Sequence, residues 1–532
     1  MTQPVIGVFP RTQRADRQRL FDALELAFRV RFQGRDPNSL AGLAAAVFIG
    51  SSPAESLPFP WVAFAQERSI PASARTRIGT DAMIDARLRG RALTDGSGGC
   101  AIPLGAPSGS SVLAATGAGP VWLALREHPW QYLAAIAPAE LEAGEPLRAR
   151  LRAGSFLPLL PLVHLLREID GGRQWDQPRQ RAAFIIDDPN LHGLSYGYID
   201  YRELVARAKR GGYHVAIAST PLDYRFVHPQ ARALFRGHPA QISLTVHGND
   251  HEHGELSRVL DAETALSLGA QALRRAHRLE RHSGLSVSRV MNAPHEECNE
   301  VMLSALYRLG FDGLARDLLA PVSRPGAKPA GVLADWEPAE ILGGLAILPR
   351  FGLQSDAEDF AWRAYLNLPM LICLHHTELA GGLDVLDRAA DLVNRLRPTR
   401  WMSLSDVCAS NVAVARSGSS LLVRPYARRV RVAVEPTATE IIIDTPPSDP
   451  AVDVRVTCGP AAEVGTFGSR FRFAGPFSGV VAIEMGAPDP VDVDAVPARA
   501  TRIWPVLRRM MTEGRDRLAP LPDRIRAGRA AL

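Results

Sequence analysis

The chain has 532 residues, 46% of them hydrophobic, and a formal net charge of +5. At roughly 100–200 residues per domain, two to four domains are expected. The near-neutral balance excludes a global nucleic-acid footprint. The longest apolar run, "SFLPLLPLVHLL", is too short to span a bilayer and carries two prolines. Five widely spaced cysteines without a CxxC fit reduced thiols. No charged n-region followed by an apolar h-region opens the sequence, so a cytoplasmic protein without a membrane span is expected.

Residues 1–150 alternate in type. "PVIGVFP" predicts a strand, "ADRQRLFDALELAF" an amphipathic helix, and "RVRFQG", "AAAVFIG", "PWVAFAQE" and "GPVWLALRE" further strands. This alternation predicts an open α/β domain of flavodoxin-like type. Its glycine clusters, "TDGSGG" and "TGAGP", lack a phosphate-binding context and are expected to be loops. Residues 151–180 are expected to connect it to the next domain.

Residues 181–410 again alternate strand and helix. "AAFIID", "YHVAIAST", "ISLTVHG", "SRVMNAP", "FDGLARD" and "MLICLHH" are apolar strands, and the helices between them end at glycines such as Gly211–Gly212. A β/α barrel or a large doubly wound sheet accommodates this pattern. Residues 411–488 change to period-2 alternation broken by Pro and Gly, which predicts a small antiparallel β-sandwich. Residues 489–532 are a Pro-rich stretch and a basic tail. From Thr501 onward the tail holds eight Arg against three Asp or Glu, and a solvated helix is expected.

Four strands of the middle domain end in reactive groups: Asp187 and Asp188; His247, Asp250, His251 and His253; Asn292, His295 and Glu296; His375 and His376. Active sites of parallel β/α barrels sit at the C-terminal strand ends. Charged groups directly after buried strands must be solvated, paired or metal-bound. The i, i+4 spacing of His247 and His251 puts both rings on one side of a helical turn. With Asp188 as third ligand, they make a His2Asp set suited to zinc and its neighbours. His192, Glu252 and His253 are expected to be solvated or to support the ligands.

These motifs resemble the polysaccharide deacetylases of the NodB-homology, carbohydrate esterase family 4 type. The resemblance covers residues 180–410 and implies a distorted β/α barrel. It also implies a divalent metal, most often zinc, and hydrolysis of acetyl groups from N-acetylated sugars. "FIIDD" is similar to the family's first motif, which implies Asp187 as general base and Asp188 as metal ligand. "HGNDH" is similar to its H-(S/T)-x-x-H motif, which implies His247 and His251 as ligands. "LICLHH" is similar to its last motif, with His375 the general acid by strand position and His376 by strict Leu-x-His spacing. The family's third motif should supply an arginine that orients the base, but Asn292 stands there in "MNAPHE". Asp335-Trp336 is only a loose counterpart of the fourth motif. Asn292, His295, Glu296 and His376 are therefore expected to line the substrate or support the ligands. A carbohydrate or another small amide is the expected substrate. Two alternatives stay open. One is a glycoside hydrolase using a carboxylate pair such as Asp187 and Glu296. The other is a binding protein that keeps the metal without turnover.

Overall fold

The computed structural model describes residues 3–521, except 37–38, 54, 56, 68–71, 127–128, 171–174, 259–260, 317–338, 343, 356, 445–452, 459–460, 467–469, 476, 478 and 488. Asp335-Trp336 lies outside the described residues. The chain divides into two compact units. The first takes residues 1–175 and borrows 356–366 from later in the chain; the second takes most of the remainder.

The first unit is built on an open nine-stranded sheet. Five strands are parallel, in the order Arg31–Gly34, Val5–Phe9, Ala45–Ile49, Trp61–Gln66 and Gln131–Ile136. The other four, including Ser111–Thr116 and Gly119–Arg126, run antiparallel. The flavodoxin-like expectation therefore does not describe this second half. The cause is local: Gly117 and Ala118 make a two-residue hairpin loop where a helical crossover would be needed for parallel pairing. The run expected to connect domains forms the helix Leu160–Asp170 instead, within this unit. Leu160, Leu162, Val163, Leu165 and Leu166 are all buried there, so the apolar run belongs to a core.

In the second unit, seven parallel strands close a barrel: Arg181–Asp187, Val215–Ser219, Ile242–His247, Val287–Asn292, Gly313–Arg316, Leu345–Gly352 and Met370–His375. Neighbours follow chain order, and the first strand pairs with both the second and the last, which closes the ring. Every residue of Arg181–Asp187 is buried, as a strand covered on both faces requires. Helices follow with ordinary caps. The Asp200 carboxylate accepts the N–H groups of Arg202 and Glu203 at the start of Tyr201–Gly211, and Gly212 ends that helix with φ 65°. Asp261 and Asn299 cap Ala262–Ser283 and Glu300–Arg308 in the same way.

Beyond the barrel, residues 412–486 form two four-stranded sheets. Pairing is antiparallel except between Ser420–Pro425 and Glu440–Asp444, which run parallel. Among the described residues, Cys298, Cys373 and Cys408 are free thiols. No helix of the described residues is long and apolar enough to cross a membrane. The last described element is the helix Ile503–Leu518, which returns to the barrel.

Candidate metal centre and active site

The C-terminal ends of the barrel strands bring Asp188, His247 and His251 together, with one ligand atom from each lying within 4.8 Å of the others. His251 Nε2 is 3.2 Å from Asp188 Oδ1, and the two imidazole centroids are 4.9 Å apart. His247 Nδ1 lies 3.2 Å from the Asn292 carbonyl oxygen. Donation there puts the proton on Nδ1 and leaves the Nε2 lone pair for a ligand. Burial holds both imidazoles neutral, with pKa values pushed down to about 3. Burial pushes the Asp188 carboxyl up, yet its surroundings, with the permanently charged Arg509 at 3.2 Å, keep it well below the usual range. Two neutral imidazoles and an ionised carboxylate are a donor set that fits a divalent cation such as zinc.

The two histidines do not share a helical turn. His247 ends its strand, and His251 sits in a loop with φ 55°. The loop folds back at Gly248, whose φ of 58° and close approach to the Glu255 carboxylate leave no room for a Cβ. Glu255 accepts the backbone N–H groups of Asn249, Asp250 and His251 at 2.8, 3.0 and 3.1 Å. Arg275 holds the outer side through Asp250, at 2.6 Å. Asp188, His295 and Glu296 also have positive φ, so four of the six such non-glycine residues described lie at this rim. Backbone strain of that kind clusters at functional sites.

Asp187 is buried beside this triad. Arg350 Nη1 lies 2.8 Å from its Oδ2 and 3.0 Å from its Oδ1, while Nη2 lies 2.5 Å from Glu296 Oε1. An arginine thus does pair with Asp187, but it is Arg350 and not a residue at position 292. Burial raises the Asp187 pKa, against the opposing charges of Arg350 and His375. Asn292 is fully buried and lines no substrate space. Its side-chain amide donates to Thr245 Oγ1 and to the Val246 carbonyl, and its backbone carbonyl orients His247. His295 stands outside the triad, its ring 5.4 Å from His251 and 4.6 Å from His253.

His375 is the register partner of Asp187 on the adjacent strand. Its side chain is 58% exposed, its backbone N–H donates to Glu378 Oε2 at 2.8 Å, and its Nδ1 lies 4.0 Å from the same carboxylate oxygen. His376 points elsewhere. It is buried, with Nε2 3.5 Å from Asp516 Oδ2 and its ring against Tyr196 and Tyr198.

Asp516 belongs to the C-terminal helix, which lies over the site. Arg509 Nη1 is 3.2 Å from Asp188 Oδ1, and Arg509 Nη2 is 2.6 Å from Asp223 Oδ2. Glu513 Oε2 is 2.9 Å from His192 Nδ1, and Arg508 donates to the His251 carbonyl. Arg509 and Asp516 are each 4% exposed, so the solvated tail expected from its charge is wrong for the inner face of this helix. Glu252 pairs with Arg502, and His253 is exposed.

Three functional residues escape the sequence argument. Arg350 follows the apolar run "LAILP" as Asp187 follows "AAFII", so the same signal marks it. Glu255 carries no signal, since its role is to accept backbone N–H groups. Arg509 lies 321 positions from Asp188, a contact that only the fold creates.

No protein-family model matches the chain, and no curated protein matches it. Among solved structures, a family 4 carbohydrate esterase from Streptomyces lividans in complex with acetate is 14% identical. The match covers 43% of this chain and 93% of that chain, with a TM-score of 0.27. A family 4 acetyl xylan esterase from Clostridium thermocellum in complex with a cobalt ion is 10% identical, over 43% of this chain and 90% of that chain, with a TM-score of 0.26. A Streptococcus mutans CE4 esterase is 12% identical, over 42% and 87%, with a TM-score of 0.25.

Proposed function

We propose that the barrel is a metal-dependent hydrolase that removes an acyl group, acetyl in the simplest case, from an N-acylated sugar or a related small amide. One observation carries this reading: the Asp188, His247 and His251 donors converge beside a second carboxylate, Asp187, that is clamped by Arg350. A divalent ion held by those three residues supplies Lewis acidity toward an acyl carbonyl and acidifies water. Asp187 takes the proton of the attacking water, and its burial-raised pKa suits a general base. Arg350 fixes the orientation of that carboxylate. His375, exposed at the rim in register with Asp187, delivers a proton to the leaving amine from its imidazolium form and returns to the neutral ring.

The glycoside hydrolase alternative needs one free, raised-pKa carboxylic acid facing a second carboxylate. Asp187 and Glu296 instead grip the same guanidinium, so neither carboxyl is free to face the other across a cleft. The binding-protein alternative fits best a carboxylate with no arginine to orient it, whereas Asp187 has Arg350 at 2.8 Å.

The test is metal content in the wild type, His247→Ala and Asp188→Ala, followed by acetate release from a panel of N-acetyl sugars. Loss of metal in both variants, with acetate release by the wild type alone, is the expected result. Unchanged metal in both variants would sink the site. Bound metal with product only from a glycoside panel would transfer the site to the alternative chemistry.

A further inference from the structure

The C-terminal helix Ile503–Leu518 is amphipathic in the opposite sense from an ordinary helix of the same unit. The helix Asp384–Leu396, for comparison, buries Leu386, Ala389, Ala390 and Val393. In Ile503–Leu518 the inward face is charged, with Arg509 and Asp516 buried against Asp188, Asp223, Tyr196 and His376. The outward face is apolar. Ile503, Trp504, Leu507, Met510, Met511 and Leu518 are all exposed, with Ile503 at 76% and Met511 at 68%. At 3.6 residues per turn they form a stripe about 120° wide. Residues 503–521 contribute seven of the twelve exposed large hydrophobic side chains described in the whole protein. A patch of this kind marks an interaction surface.

The rim of the stripe says what covers it. Arg515 borders it with a side chain 75% exposed, and Arg502 stands at the helix N-terminus, 57% exposed and paired with Glu252. Residues 501–532 hold eight Arg against three acidic residues, which accounts for the net charge of the chain. Pairing with a second copy through the same stripe would set these arginines against one another. An anionic lipid surface complements both features, since basic amphipathic helices lie in the interface plane with their apolar face in the acyl boundary. We propose that the helix Ile503–Leu518 docks the protein on an anionic membrane surface through this stripe, without crossing the bilayer. The proposal is independent of the hydrolase reading, because no inner-face contact is needed for it.

The test is sedimentation of the full-length protein with phosphatidylcholine vesicles and with vesicles of equal parts phosphatidylcholine and phosphatidylglycerol. The wild type is expected to partition onto the anionic vesicles at least about tenfold more strongly. Trp504→Ser combined with Met511→Ser leaves the inner face intact and is expected to lose about tenfold or more of that binding, as two large apolar groups leave the interface. If that variant fails to fold, Arg502→Gln with Arg515→Gln is expected to lose the preference for anionic lipid. No vesicle binding, equal binding to both compositions, or undiminished binding by both folded variants would overturn the proposal. So would a dimer that the apolar variant dissociates while vesicles bind neither protein.

Discussion

Arg350 Nη1 lies 2.8 Å from Asp187 Oδ2, and both side chains are almost wholly buried. The guanidinium is also the partner of Glu296, so a single cation balances two anions. Removing one partner of such a buried pair costs about 3–5 kcal/mol, because the remaining charge is left without compensation. Arg350→Met is expected to show that loss in urea denaturation. It is also expected to lower turnover about a hundredfold or more, since the base loses its orientation. Arg350→Lys should recover part of the stability but little of the turnover, as an ammonium lacks the planar fork. Wild-type stability and turnover in Arg350→Met would refute this role.

Glu255 shapes the ligand loop without touching a ligand side chain. Its carboxylate is acceptor to three successive N–H groups, although burial pushes its pKa up to about 7. Glu255→Gln keeps one acceptor oxygen and turns an amide donor toward the N–H groups. Zinc affinity, measured by calorimetric titration, is expected to fall about 10–100-fold, the usual effect of disturbing groups that orient ligands. Glu252→Gln, which only loses a surface pair with Arg502, is the control and should bind zinc normally.

Arg509 is a cation competing for Asp188. Its charge-assisted bond to Oδ1 must weaken when another cation binds the same carboxylate. Arg509→Gln removes that competitor, and zinc is expected to bind about tenfold tighter, which corresponds to a bond of about 1.5 kcal/mol. Competition with a chromogenic chelator measures this. An affinity equal to or weaker than wild type would show that Arg509 supports the metal rather than opposing it.

The adjacent histidines should separate cleanly. His375→Ala is expected to cut turnover about a hundredfold with metal content unchanged. His376→Ala is expected to leave the chemistry near wild type and to loosen the C-terminal helix, because His376 faces Asp516. Hydrogen exchange across residues 503–518 reads the second effect. A reversed pattern would assign the acid to His376.

Docking of the same helix should depend on pH through His192 and Glu513. His192 has only acceptors around it, the Glu513 carboxylate and the Asp223 carbonyl, so the doubly protonated ring satisfies both. Burial lowers its pKa, but these bonds outweigh burial and leave it raised. Burial likewise opposes Glu513, yet His192 and Arg517 bring it down to about 2. The His192 contribution is complete below 6.5 and fades as pH rises through the raised value. The Glu513 contribution is complete above 4.5 and fades as pH falls toward 2. Exchange protection of the helix, corrected for intrinsic rates, should therefore peak between those two ordinary values. His192→Gln should abolish the alkaline decline.

Much of the barrel and the centre of the site were legible because buried parallel strands are long apolar runs and their ends are abruptly polar. That contrast picks out Asp187, Asp188, His247 and His375 without three-dimensional information. The His251 position was legible but not its cause: the sequence suggests a helical turn, whereas Gly248 and Glu255 build a loop. The antiparallel half of the first sheet was hidden because period and composition do not record strand direction. The docked tail was hidden for a different reason. A helix with Arg509 and Asp516 inside and Ile503 and Met511 outside inverts the rule by which faces are assigned from sequence.

The helix Ala357–Tyr365 belongs to the first unit although its sequence lies between two barrel strands. It brings Phe360 and Trp362 into that unit's core, with the Trp362 ring 4.8 Å from Phe156. Domains usually fold in order as the ribosome releases them. Here the amino-terminal unit cannot complete its interior until about two hundred further residues have been synthesised, so it must wait, half-closed, for a piece of its successor.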